Sequence, residues 1–209
     1  MTLPGDMAKD AAGIRHKAPT LLRREMMFIR GGRIQQTMQV PPGQGQFAVD
    51  EENGRILFNP PKGTIVVDNR VEVANRQRAV LFRARNLNKL LLRNLYFWHA
   101  PGQPGEEAAA LDLRHITDLR LEDCNFKYNN WLGLRIRDSA DISIVRCTFE
   151  TNGFGSFRLE KCVNTVLGGV TDTLNHWRGK EAGTHSRGLE LGGRANTITD
   201  CEKLYYFGS

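Results

Sequence analysis

The side chains of this chain that could do chemistry are charged residues at alternate positions in short apolar segments. Arginine can hold a carboxylate through two parallel hydrogen bonds, so Arg135 and Arg158 are predicted as clamps for an anionic group. Two carboxylates at a fixed separation can act as an acid and a base, and carboxylates can also hold a cation. Glu160 and Glu190 are therefore predicted as an acid pair or as cation ligands.

A general base could be a Lys, Arg, His or Tyr side chain, and His176 and His185 are the candidates for it. The candidates for catalytic roles are then Arg158, Glu160, Glu190, His176 and His185. The candidates for contact with a ligand are other charged or aromatic side chains: Arg135, Arg137, Asp112, Trp98, Trp177 and Arg178. The alternative for the arginines is a solvated charged face, and the alternative for Trp177 is packing in an aromatic stack.

The segments that must position these side chains repeat along the chain. The triplets Leu111-Asp-Leu113, Leu134-Arg-Ile136 and Phe157-Arg-Leu159 begin 23 residues apart, and Leu189-Glu-Leu191 follows after 32. A fixed period of this length indicates stacked structural repeats. Each repeat contains short segments in which apolar and polar residues alternate, with no room for an ordinary helix. The sequence therefore predicts an all-β fold, a right-handed single-stranded parallel β-helix of about four to five coils.

Equivalent positions of successive coils should lie above one another, about 4.8 Å apart. The triplets then give two outward columns of charged residues, one with Asp112, Arg135, Arg158 and Glu190 and the next with Arg83, Arg114, Arg137 and Glu160. Two further columns are predicted to be inward: the asparagines Asn129, Asn152 and Asn175, as a hydrogen-bonded ladder, and Cys124, Cys147 and Cys201, as packed thiols.

The chain divides into three parts by composition. Residues 1–23 are polar and rich in Gly, Ala and Pro, and are predicted to be a poorly ordered lead-in. Residues 24–63 contain short strands and the Asn53-Gly54 turn of a hairpin, so they are predicted to form a small β module. Residues 64–209 form the β-helix, which we expect to be truncated at its C-terminal end. Two insertions, residues 99–107 and 180–188, should overhang one face of it.

Composition restricts the function classes only weakly. The formal net charge of +6 and pI of about 9.3 could favour an anionic partner. The four cysteines have no CxxC spacing, which argues against a zinc site or a disulfide framework. No run of 18 apolar residues predicts a membrane span, and the first 30 residues contain no visible signal peptide. Nucleic-acid binding is not expected, because exposed aromatics are not interleaved with the arginines.

The phrase from Gly45 to Pro61 and the segment from Leu90 to Ala100 resemble the N-terminal region of bacterial right-handed parallel β-helix repeat proteins, which are pectate-lyase-like in fold. The resemblance covers roughly residue 24 to the C-terminus. It implies a carbohydrate-active protein that binds and cleaves an extended polysaccharide, with or without uronate residues, by β-elimination or glycoside hydrolysis. It also implies Ca²⁺ as a cofactor of some members and a secreted or periplasmic location.

The chain ends just after a fifth coil begins, whereas such helices usually run to about ten coils. We therefore expect an N-terminal fragment whose open last coil could self-associate. The alternative function is a non-catalytic glycan-binding or structural β-helix stem, with the catalytic coils absent from this chain.

Overall fold

The computed structural model describes residues 25–64, 66, 71–74, 80–102, 109–175, 177, 189–201 and 206–208, with only the backbone of residues 189–196 and 206–208. These residues form an all-β fold, as the sequence predicts. The seventeen described strands are β1 (Met26–Ile29), β2 (Gly32–Gln36), β3 (Gln46–Asp50), β4 (Arg55–Asn59), β5 (Val71–Ala74), β6 (Phe82–Leu87), β7 (Leu90–Arg93), β8 (Tyr96–Trp98), β9 (Ala109–Glu122), β10 (Asn125–Lys127), β11 (Leu132–Arg137), β12 (Ala140–Val145), β13 (Thr148–Glu150), β14 (Gly155–Gly168), β15 (Thr171–Thr173), β16 (Leu189–Thr199) and β17 (Tyr206–Gly208). Among the described residues, no helix is long and apolar enough to cross a membrane.

The N-terminal strands form one five-stranded sheet in the order β4-β3-β2-β1-β5. The predicted hairpin is confirmed: β3 and β4 pair antiparallel, and Asp50 lies opposite Arg55 across the turn. Gly54 in that turn has a φ of 62°, a conformation that glycine adopts without strain. Strand β5 pairs antiparallel with β1, so this sheet continues past residue 63.

The repeats pair in parallel with the register that the 23-residue period predicts. Leu134 of β11 lies between Leu111 of β9 and Phe157 of β14. In a second sheet, in the order β15-β13-β10-β8, Phe149 lies between Phe126 and Asp172. The same part of each repeat therefore stacks on its counterpart in the next one.

Strands β9 and β14 are each 14 residues long and change partner along their length. The first half of β9 pairs with β11 and its second half with β12, and β14 pairs with the same two strands on the other side. The pairings thus close into a circuit that forms a small parallel barrel. Asp118 and Asn164 take positive φ values of 51° and 57° near the places where these strands change partner, and Asn and Asp tolerate this conformation best after glycine.

The interior is a stack of apolar side chains from successive repeats. Phe97, Phe126 and Phe149 stack nearly parallel, with ring centroids 4.9 and 4.6 Å apart. Cys124 and Cys147 are fully buried as predicted, whereas Cys201 is only partly buried, and Cys162 joins the first two in the core. Burial raises the pKa of the Cys162 thiol to about 11, so this thiol is protonated at neutral pH and contributes packing.

The predicted asparagine ladder is confirmed. The Nδ2 group of Asn129 donates to Oδ1 of Asn152 at 2.9 Å, and Nδ2 of Asn152 donates to Oδ1 of Asn175 at 2.8 Å. Each amide also donates to the main-chain carbonyl of a phenylalanine in the preceding repeat: Asn129 to Phe97 at 2.8 Å, Asn152 to Phe126 at 3.0 Å and Asn175 to Phe149 at 2.8 Å. The ladder therefore provides hydrogen-bond partners for buried main-chain groups at a turn, where strand pairing does not provide them.

Candidate functional site

The outward side chains of β6, β9, β11 and β14 form a surface that we call the arginine face. Along each strand these side chains alternate with buried residues such as Leu111 and Leu113, so they point to the face of the sheet opposite the core. In register, one column contains Arg83, Asp112, Arg135 and Arg158, and the next contains Arg85, Arg114, Arg137 and Glu160. Glu190 follows Arg158 in the first column by its backbone position on β16.

One sequence-based assignment on this face is wrong. Arg83 was expected in the column of Arg114, but it pairs in register with Asp112, and Arg85 lies opposite Arg114. The first repeat is offset from the second by 29 residues rather than 23, because residues are inserted between β8 and β9. The other members of the two predicted columns are confirmed where their strands are described.

Asp112 is held between two arginines from the repeats on either side of it. Its side chain is fully buried, with Oδ2 2.9 Å from Nε of Arg83 and Oδ1 3.3 Å from Nη2 of Arg137. A buried carboxylate needs such partners, because burying it unpaired would cost several kcal/mol. Asp112, predicted to contact a ligand, is therefore used by the protein itself.

Glu160 brings together three of the predicted site residues. Arg135 donates two hydrogen bonds to the same oxygen of Glu160, Oε2, from Nε at 3.0 Å and from Nη2 at 2.8 Å, and hydrogen bonds between charged groups are stronger than those between neutral ones. Arg158 approaches the other oxygen, with Nη1 3.6 Å from Oε1. Asp112 and Glu160 thus offset part of the repulsion between arginines that lie next to one another in the columns.

Arginines still outnumber carboxylates on the arginine face, even when Glu190 is counted. Several of them are partly open to solvent: the side chain of Arg83 is 43% exposed, that of Arg114 is 38% exposed and that of Arg158 is 28% exposed. With six arginines and three carboxylates in its columns, the face has a net positive formal charge, even though Arg114 also pairs with Asp138, with Nε 3.1 Å from Oδ2. Such a surface attracts anions, and most strongly anions that carry several charges at similar spacing.

Trp98 and Trp177, both predicted to contact a ligand, lie away from the arginine face. Trp98 is on β8, in the sheet of β10, β13 and β15, where its ring is 42% exposed. Trp177 is buried against Met26 and Phe28 of the N-terminal module, and its Nε1 donates to the carbonyl of Thr151 at 3.0 Å. The described environment of Trp177 is therefore one of packing. His176, His185 and Arg178 lie outside the described residues.

His99 also joins the N-terminal module to the repeats. Its ring stacks on Phe28 with centroids 4.0 Å apart, and its Nδ1 lies 3.2 Å from Oε2 of Glu72. Burial lowers the pKa of His99 below its ordinary value, although Glu72 acts in the opposite direction. Burial of the ring thus shifts His99 towards its neutral form.

A buried polar group that the sequence analysis did not identify lies at the end of the described phenylalanine column. Asp172 occupies the position in register with Phe149 and is only 3% exposed. Ser156 Oγ donates to its Oδ2 at 2.5 Å, and Asn175 Nδ2 donates to its Oδ1. Burial raises the pKa of Asp172 above its ordinary value, although both hydrogen bonds act to lower it. The sequence contained a signal for this group, because an acidic residue stands where the preceding repeats have Phe126 and Phe149.

Within the part of the chain that the structure describes, no three His, Cys, Asp or Glu side chains come together as metal ligands. Asp112 and Glu160, the two described carboxylates of the arginine-face columns, both bind arginine. The described residues therefore do not fit a Ca²⁺ site.

Comparison of the chain with protein-family models, with curated proteins and with solved structures finds no match.

Proposed function

We propose that the stacked repeats form a right-handed parallel β-helix of the pectate-lyase-like kind, and that its arginine face binds an extended polysaccharide that carries uronate carboxylates. The parallel register of β9, β11 and β14 supports the first part, because each strand pairs with its counterpart one repeat further on. The excess of arginine over carboxylate supports the second part.

The observation that carries the proposal is the fixed position of arginines in columns. Adjacent strands lie about 4.8 Å apart, so guanidinium groups recur at this interval along the stack. A linear polymer with regularly spaced carboxylates can bind several of them at once, and each further contact is intramolecular after the first. Because the side chain of Arg135 is already held by hydrogen bonds to Glu160, it loses little conformational entropy when a ligand binds beside it.

Cleavage by β-elimination would use the same arginines. A guanidinium that neutralises the sugar carboxylate makes the neighbouring C5 proton more acidic, and a base then removes this proton. A double bond forms between C4 and C5 as the bond from C4 to the glycosidic oxygen breaks, and the departing oxygen takes up a proton from an acid or from water. His176 and His185 remain the proposed bases. Hydrolysis by Glu160 with Glu190 receives less support, because Glu160 already accepts two hydrogen bonds from Arg135. The non-catalytic alternative keeps the binding step and omits the chemistry.

The test is retardation of the native protein in gels that contain pectate or alginate, at low and at high salt. Arg158→Gln is compared with Arg93→Gln, a matched change of an arginine on β7 that pairs with Glu122 away from the arginine face. We expect retardation that weakens with salt, several-fold weaker for Arg158→Gln and unchanged for Arg93→Gln.

The same samples are assayed for ultraviolet absorbance of unsaturated uronate and for reducing ends. Unsaturated product would support β-elimination, and reducing ends alone would support hydrolysis. Retardation without product would support the non-catalytic alternative. Equal effects of the two arginine substitutions, or retardation that is insensitive to salt, would refute binding at the arginine face.

A further inference from the structure

We propose that a second site lies on the outward face of β8, β10 and β13 and binds an uncharged glycan by stacking a pyranose ring on an aromatic pair. This surface, the aromatic platform, consists of Tyr96, Trp98, Asn125, Lys127, Thr148 and Glu150. It belongs to a different sheet from the arginine face, so the inference does not depend on the function proposed above.

Tyr96 and Trp98 are both partly open to solvent on the outward side of β8. Tyr96 is 71% exposed and Trp98 is 42% exposed, whereas Phe97 between them is buried in the core. Alternation along a strand places both rings on the outward side. Their centroids lie 5.3 Å apart with the planes at 85°, so the rings meet as a corner with one ring edge against the other.

Trp98 is held in one orientation before any ligand binds. Its indole Nε1 donates to Oδ1 of Asn125 at 2.7 Å, across the strand pair of β8 and β10. An exposed tryptophan fixed by a hydrogen bond loses little rotamer freedom on binding, which favours affinity. The apolar face of a pyranose that has equatorial hydroxyl groups consists of axial C–H bonds, and this face stacks on aromatic rings.

Polar groups suitable for sugar hydroxyls continue from the aromatic corner along the stack. Asn125 pairs in register with Thr148, which places an amide and a hydroxyl in one column. In the next column Lys127 Nζ lies 2.9 Å from Glu150 Oε1. Recognition sites for small ligands combine an apolar surface with a few fixed polar groups of this kind.

Charge distinguishes the ligand of the platform from that of the arginine face. The only charged residues among the six are Lys127 and Glu150, and they neutralise each other. A uronate would bring an unpaired negative charge next to Glu150, whereas a neutral sugar brings none. Charge complementarity therefore favours an uncharged glycan at this site.

The test is gel retardation in the neutral polymers xylan, mixed-linkage β-glucan and glucomannan, followed by calorimetry with the hexasaccharide of any polymer that retards. We expect at least one polymer to retard the wild-type chain at both low and high salt, because stacking is not screened. Trp98→Ala should weaken binding at least tenfold and Asn125→Ala several-fold. Leu91→Ala, which removes an exposed side chain from β7, is the matched control and should have no effect.

Arg158→Gln should also leave neutral-glycan binding unchanged, which separates this site from the arginine face. The proposal is overturned if none of the three polymers retards the chain, or if retardation survives Trp98→Ala. It is also overturned if Trp98→Ala abolishes self-association in light scattering without changing retardation, since the platform would then be a protein interface.

Discussion

Asn152 is the position where the structure makes the sharpest prediction about stability. Its side chain is completely buried, and its Oδ1 accepts from the main-chain amide of Asn129 at 3.2 Å and from the Asn129 side chain at 2.9 Å. Its Nδ2 donates to the carbonyl of Phe126 and to Asn175. Replacing it by alanine takes these partners away from two main-chain groups at once, the amide of Asn129 and the carbonyl of Phe126.

The size of the effect follows from those two groups. A buried polar group that loses its partner costs about 1–3 kcal/mol, so Asn152→Ala should lower the free energy of unfolding by about 4 kcal/mol. For a chain of this length that corresponds to a fall in Tm of roughly 8–16 °C. The side-chain amide of Asn129 keeps its hydrogen bond to the carbonyl of Phe97 in the variant. Oδ1 of Asn175 likewise keeps the hydrogen bond that it accepts from the main-chain amide of residue 152. These two side chains therefore add little to the loss of stability.

The assay is guanidinium chloride unfolding followed by far-ultraviolet circular dichroism, with two comparison variants. Asn152→Asp has the same volume but replaces the two donated hydrogen bonds by repulsion between acceptors, so it should destabilise at least as much as alanine. Asn125→Ala removes one exposed hydrogen bond and should cost less than about 1 kcal/mol. A stable Asn152→Asp variant would refute the reasoning, because packing alone would then explain the site.

Two further predictions concern the core. Ile136→Ala should lower the free energy of unfolding by about 2–5 kcal/mol, because it removes a buried side chain. Arg135→Ala on the same strand should lower it by less than about 1 kcal/mol in the same unfolding experiment. The reverse order would mean that the inward and outward faces are exchanged. Because the pKa of Asp172 is raised above its ordinary value of 3.8 on folding, the stability from its protonated form is fully present below that value and is lost as pH rises through the folded pKa. Asp172→Asn should abolish that part of the pH dependence, and an unchanged unfolding profile across acidic pH in the variant would contradict the assignment.

Much of the register could be read from the sequence because stacking in parallel places equivalent residues together. The triplets at Leu111, Leu134 and Phe157 predict their own pairing, since a slip by one residue would turn each apolar side chain to solvent. The asparagines of the ladder are predictable for the same reason. A buried amide that bonds to the next repeat requires an amide at the same position there.

Contacts between columns were not predictable in this way. Arg137 reaches diagonally to Asp112 in the preceding repeat, and a column shows only the neighbours directly above and below. Trp98 was expected to contact the same ligand as the arginines, but its strand pairs with Asn125 to Lys127 in the other sheet. The packing of Trp177 against Phe28 joins distant parts of the chain, and no repeat indicates it.

Asp172 shows how a titratable group can belong to the scaffold rather than to a site. Asn175 is the last asparagine of the described ladder, and its side-chain amide donates to Asp172. The other asparagines donate the corresponding hydrogen bond to the asparagine of the next repeat, as Asn152 does to Asn175. The carboxyl group of Asp172 thus accepts a hydrogen bond that the ladder would otherwise pass on. Ser156 can either donate to an ionised Asp172 or accept from a protonated one, because a hydroxyl group does both. Each protonation state therefore has a partner, and burial raises the pKa of Asp172 and so shifts the balance towards the neutral form. At 3% exposure the carboxyl group cannot reach a ligand, so its titration should be visible in unfolding and not in glycan binding.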